Sequence, residues 1–221
     1  MASRTRRTAA RSPLNTERVL RAAVALADEG GIEALSMRRL AKELGVEAMS
    51  LYNHVANKDE ILDGIVDLVV GEIELPADEA DWKAAIRRSA ISNRDVLLRH
   101  RWASNLRMAR QSGGPAQLRL ADWTLGKLRE AGFSKSLIYH AFHILEAYVL
   151  GVTVQHLNFP YNDEELAGLA TTFLQQLPAG EYPDFVEHVM QHLEPRDGGE
   201  GGFELGLDLI LDGLERARNT A

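Results

Sequence analysis

An all-α fold, with a head of three short helices ahead of a larger helical body, is what this sequence predicts, and three observations carry it. Apolar residues recur every three or four positions along nearly the whole chain, the spacing that gathers them on one face of a helix. Glycine and proline clusters break this pattern at helix-length intervals. No stretch alternates apolar and polar residues long enough to make a strand, and no segment repeats another.

Taken in order, residues 1–13 read as a basic arm that is disordered when free, carrying Arg4, Arg6, Arg7 and Arg11 and no acid. Thr16 can cap a first helix reaching Asp28, with Val19, Leu20, Ala23 and Leu26 on one face and Gly30-Gly31 ending it. Ser36 suits the N-cap of a second helix over 37–44, stopped by Gly45. A third short helix is expected over 47–54. Asn57 then caps a fourth, whose apolar residues run from Ile61 to Ile73. Beyond Pro76 the helices lengthen, over 80–99, 102–111, 115–131, 134–157, 163–176, 182–193 and 203–218. The implied division is an arm over 1–13, a three-helix domain over 14–57 and a helical domain over 58–221. The fourth helix has no flexible-linker composition and is expected to join head to body.

The 221 residues suffice for a sizeable core, and 45% hydrophobic with 26% charged residues is ordinary for a globular protein. The net charge of −7 argues at first against a polyanionic partner, but residues 1–58 carry +4 and the remainder −11. A basic head on an acidic body can face phosphates while the body is held away; charge alone fits a merely solvated tail as well. No run of about 18 apolar residues is present, so no membrane partner is expected. The Arg-rich start lacks the apolar stretch of a secretory signal. The absence of cysteine excludes disulfides and thiolate chemistry and fits a cytoplasmic location.

The run from Ser36 to Val55 has the mechanics of a helix-turn-helix. Leu40, Ala41 and Leu44 supply one buried face, small Ala41 lets the next helix cross closely, and Gly45 permits the sharp turn. Val46 and Leu51 anchor the third helix, which leaves Glu47, Ala48, Met49, Ser50, Tyr52, Asn53 and His54 to face outward. A helix fits the major groove with its N-terminal residues against base edges. Tyr52, Asn53 and His54 can donate to phosphates or reach bases, Lys58 adds charge beside a helix N-terminus, and Ala48 and Met49 offer apolar contact, as to a thymine methyl. Spacing alone fits equally a helical hairpin that never touches DNA.

The run Gly45-Val46 through Leu51-Tyr52, His54-Val55, Asn57-Lys58 and Ile61-Leu62 resembles the recognition and linking helices of the tetracycline repressor (TetR) family. The resemblance implies Arg38 and Ser50 near bases, and Tyr52, His54 and Lys58 near the backbone. It differs at Ala48 and Met49, where polar readers could sit, so the operator sequence is left open. A weaker resemblance, to that family's C-terminal domain, covers 82–99, 147–151 and especially Phe203 to Glu215. Together these resemblances imply a non-enzymatic regulator: a homodimer on a palindromic double-stranded operator, most simply a repressor released by an unidentified small-molecule effector in a ligand-binding and dimerisation domain.

The body's own residues agree with two of these implications. The 134–157 segment is apolar nearly all round and needs burial on two sides, and the last helix supplies Leu205, Leu207, Leu209, Ile210 and Leu211, although one subunit could bury some of this alone. Trp102, Asn105, Met108, Trp123, His140 and His143 are candidate pocket residues, although aromatic and Met residues at helical spacing serve a core as readily. The pairs His140/His143 and His188/His192 each share a helix face, but no third ligand stands at a metal-binding spacing, so no metal or cofactor is expected. The 198–202 glycine tract lacks the Lys-Ser/Thr of a phosphate loop and reads as a hinge or a disordered loop. A helical enzyme built on the histidine pairs lacks a nucleophile or metal with a placed base. An architectural, sequence-nonspecific DNA binder resting on the arginine arm stays open.

Overall fold

The computed structural model describes residues 13–110, 113–159, 161–178, 180–193 and 201–220. All of the basic arm but Pro13 lies outside the described residues, as do residues 198–200 of the glycine tract. Eleven α-helices are found among the described residues, and no strand: α1 (Thr16–Gly30), α2 (Met37–Leu44), α3 (Ala48–Leu51), α4 (Lys58–Val70), α5 (Trp82–Arg99), α6 (Ala103–Ala109), α7 (Pro115–Glu130), α8 (Lys135–Asn158), α9 (Asp163–Gln176), α10 (Pro183–Met190) and α11 (Gly201–Thr220). Short 3-10 turns occupy Ile32–Ala34 and Gln191–Leu193. The chain divides into two compact units, 1–73 with 95–122 and 74–94 with 123–221, so α5 and α7 each contribute to both.

The expected helices form, with instructive shifts at their ends. Asn15, not Thr16, caps α1: its Oδ1 accepts from the Arg18 N–H at 2.8 Å, which frees the Thr16 hydroxyl to donate to the His54 carbonyl at 3.0 Å. The third helix is regular over only four residues, and 52–54 continue it as turns. Gly201 and Gly202 open α11 and form no hinge.

The first unit is organised around α4. Ile61, Ile65, Val66 and Val69 are buried against a core that includes Val19, Ala23 and Leu26 of α1. The two helices approach closely at Gly64, where a Cβ would come within 2.7 Å of the Leu20 side chain. Carboxylates along and just beyond α4 tie it to later helices. Asp59 and Asp63 take Arg110 at 3.0 and 2.6 Å, and Asp67 accepts the Ala116 and Gln117 N–H groups that open α7. Glu72 takes Arg99 at 2.7 Å. Asp28 of α1 receives the Trp102 indole N–H at 2.7 Å and lies 2.8 Å from Nδ1 of buried His100.

In the second unit Trp82, Ile86, Leu128, Phe133, Ile138, Ala141, Leu145, Val149, Phe203, Leu207 and Leu211 form one apolar core drawn from α5, α7, α8 and α11. At its edge α11 presents Glu204, Asp208, Asp212 and Glu215 to α5. Arg87 binds Asp208 at 2.7 Å and Glu204 at 2.9 Å, and Lys83 binds Asp212 and, at 3.2 Å, Glu215. The Lys83 ammonium holds the Asp212 carboxyl below the usual carboxylate range, and the same hydrogen bond raises Lys83. By length and composition alone, α8 is long and apolar enough to cross a membrane. A core helix passes the same test, and Ile138, Ala141, Leu145 and Val149 of α8 belong to the core.

Candidate nucleic-acid interface

The head is built from the sequence upward. The Ser36 hydroxyl accepts from the Arg39 N–H at 3.2 Å and starts α2, and Gly45 ends it in the left-handed conformation (φ 67°, ψ 39°). A side chain there is strained, because the Cβ of an L-residue crowds the following carbonyl. The Val46 N–H then closes on the Ala41 carbonyl at 3.0 Å, and α3 leaves across α2. Leu40 and Leu51 are fully buried, and Ala41, Leu44 and Val55 nearly so, which fixes how the two helices cross.

With Leu51 inside, the helical period turns the rest of the α3 segment outward. Met49 is 75% exposed and Tyr52 45%, so both side chains stand open on the side turned away from buried Leu51. Asn53 is exposed, and Ala48, Ser50 and His54 are partly so. Arg38 and Lys58 are exposed on the same head, as are Arg39 and Lys42 of α2, which the reading of the sequence passed over. Asn57 caps α4 by accepting from the Glu60 N–H at 2.8 Å, which leaves Lys58 as the first helical residue, at the positive end of the helix dipole. Seven of the eight residues singled out on this motif thus stand on the three-helix head and the eighth, Lys58, opens the helix that follows it, each at least partly open to solvent. The tie from Thr16 to the His54 carbonyl escaped the sequence, because it joins residues 38 positions apart and has no local signature.

The six pocket candidates fall three in each compact unit. Trp102, Asn105 and Met108 belong to the first unit and Trp123, His140 and His143 to the second. Trp102 is buried with its N–H given to Asp28, Asn105 and Met108 are exposed, and His140 and His143 stand exposed on α8. Trp123 keeps a buried indole N–H that has no partner, a property shared among the described residues only by the Ser104 hydroxyl. No group of three or more metal-ligating side chains occurs among the described residues.

Residues 19–65 match the family described as bacterial regulatory proteins, tetR family, and residues 75–218 match that described as tetracyclin repressor-like, C-terminal domain. The chain belongs to the tetracycline repressor family. Among its relatives are an HTH-type transcriptional regulator of Saccharopolyspora erythraea, 33% identical over 91% of this chain and 84% of the relative, and the HTH-type transcriptional repressor DrrR1 of Streptomyces coeruleorubidus, 35% identical over 91% and 77%. Similar solved structures include ActR of Streptomyces coelicolor in complex with actinorhodin, with TM-score 0.80, 31% identity and 94% and 99% of the two chains covered. BioQ with its natural double-stranded DNA operator gives 0.65, 26%, 91% and 98%. This TetR-family chain is therefore a helix-turn-helix transcriptional regulator, and its relatives are regulators rather than enzymes.

Proposed function

We propose that two copies of the chain bind a palindromic operator and repress transcription in the cytoplasm until a small molecule, bound by the C-terminal domain, releases them. The observation that carries the DNA-reading part is the outward face of α3, where Met49, Tyr52 and Asn53 stand exposed on a helix whose Leu51 is buried. In this reading Arg38, Ala48, Met49, Ser50 and Asn53 address base edges, while Tyr52, His54 and Lys58 hold the phosphates. Dimerisation draws on α8 and α11, which pack together yet leave Tyr139, Leu205 and Leu209 more than 60% exposed in the single chain. Two recognition helices then address half-sites about 34–36 Å apart, one turn of DNA. The unpartnered indole N–H of Trp123 supports its role as a polar contact for the effector. The other candidates, Trp102, Asn105, Met108, His140 and His143, are to be tested beside it by alanine substitution.

Selection from a pool of random duplexes tests this reading. The expected product is an inverted repeat bound by a dimer; recovery of no enriched sequence would leave only nonspecific binding. A thermal-shift screen then tests the effector, since a compound at about 100 times its Kd stabilises the folded state by about 2.7 kcal/mol. Hits should lower operator affinity, and the Trp123→Phe variant, which keeps an aromatic ring and loses the donor, should bind them more weakly.

A further inference from the structure

The first unit holds a cleft of about 410 Å³, partly open to solvent, between α1, α4 and α7, to which the proposed function gives no role. Its size lies within the range of small-molecule sites, about 300–1,000 Å³. Val24, Leu68 and Ala116 supply apolar surface, and Gly71 brings bare backbone to one side.

Four charged side chains complete the lining, and their pairings differ. The Asp67 carboxylate is occupied by the backbone N–H groups of Ala116 and Gln117. Glu72 is held by Arg99 at 2.7 Å, with His100 Nε2 at 3.4 Å on the same oxygen. Both acids are therefore committed to the fold. The two arginines are not. Among the described residues Arg21 pairs only with Glu17, one turn back on its own exposed helix face, and Arg119 has no hydrogen-bond or ion-pair partner. A cleft with an apolar floor, occupied carboxylates and two available guanidinium groups suits a ligand with an apolar body and an anionic head, because guanidinium matches a carboxylate in a two-point hydrogen bond.

We propose that this cleft is a binding site for an amphipathic organic carboxylate, its head on Arg119 and Arg21 and its body on Val24, Leu68 and Ala116. Its lining includes none of the effector candidates Trp102, Asn105, Met108, Trp123, His140 and His143, and the proposal does not depend on them. An occupant touching α1, α4 and α7 together favours whichever state keeps their present spacing, by the difference in its affinity for the two states.

The test is calorimetric titration of the full chain with naphthalene-1-carboxylate, with the neutral naphthalene-1-carboxamide as control. The carboxylate should bind, the amide should bind at least about tenfold more weakly, and Arg119→Gln should cost the carboxylate about tenfold, a charged hydrogen bond discounted for the open cleft. Arg21→Gln should act in the same direction to a smaller degree. Arg119 is exposed, so its variant should keep the wild-type thermal midpoint. Absence of binding, equal affinity for acid and amide, or an isotherm indifferent to Arg119→Gln would each overturn the proposal.

Discussion

At the residue scale, three positions in the head separate folding from contact with DNA. Gly45 serves the fold: its left-handed backbone tolerates no Cβ cheaply, and Gly45→Ala should destabilise the chain by about 1 kcal/mol, read as a lower urea midpoint. Lys58 serves the ligand: it is exposed and first in α4, so Lys58→Ala should leave stability nearly unchanged. It should weaken binding to all duplexes alike and reduce the slope of log K against log salt by about 1.8, the share of two phosphate contacts, one from each protomer of the dimer. Thr16 joins the two roles. Thr16→Val removes the hydroxyl that holds the His54 carbonyl and should weaken DNA binding about threefold to tenfold, a loss of about 1 kcal/mol in holding the end of the recognition segment. Of these three, Gly45 and Lys58 were legible from the sequence, because turn chemistry and helix-start charge are local properties. The role of Thr16 was not: Asn15 and Thr16 are both good caps, and the choice between them was made by a partner 38 residues away.

At the element scale, local signals placed helices well wherever a cap or a breaker stood at their ends. Ser36 and Asn57 each cap the helix that the sequence assigned to them. Where length alone set an end, the reading overran: the recognition helix was expected over 47–54 and is regular only over 48–51. Long-range pairing between elements had no signature at all. The ladder of Lys83 and Arg87 on α5 against Glu204, Asp208, Asp212 and Glu215 on α11 joins positions more than a hundred residues apart. Its contribution depends on pH in a stated direction. Asp212 has its carboxyl pKa lowered by Lys83, so its stabilisation is complete above the unfolded value of 3.8 and is lost as pH falls through the lower folded value. Lys83 has a raised pKa, so its part is complete below 10.5 and is lost as pH rises through the higher folded value. Asp212→Asn should therefore lower the thermal midpoint more at pH 7 than at about pH 2, well below the unfolded value of 3.8, where the stabilisation is already being lost. An equal deficit at both pH values would show that the charge is not what holds α5 to α11.

At the scale of the whole molecule, the fold class and the DNA-reading head were open to sequence analysis, because amphipathic period and turn residues are written in adjacent positions. For the C-terminal site the sequence offered residue types without the pairings that hold them. Its candidates were chosen for residue type, and the chain distributes them over two compact units, with Trp102 committed to Asp28 and Trp123 left with an unpaired buried donor. Apolar side chains on α8 and α11 stand exposed in the single chain, and the proposed dimer would cover them. Leu205→Glu with Leu209→Glu should convert a dimer to a monomer in sedimentation, because two buried like charges on each of two facing helices oppose association.

The central claim is that the exposed side of α3 reads base sequence. It is tested most directly by the ratio of affinities for the selected inverted repeat and for random duplex, at fixed salt, in the wild type and in the double variant Met49→Ala, Asn53→Ala. Both side chains are exposed, so the variant should fold with an unchanged thermal midpoint. The wild-type ratio should be about a thousandfold or more and should fall at least tenfold in the variant, with affinity for random duplex unchanged. A wild-type ratio near one, or a ratio that the double substitution leaves intact, would contradict the assignment of this helix face to base reading.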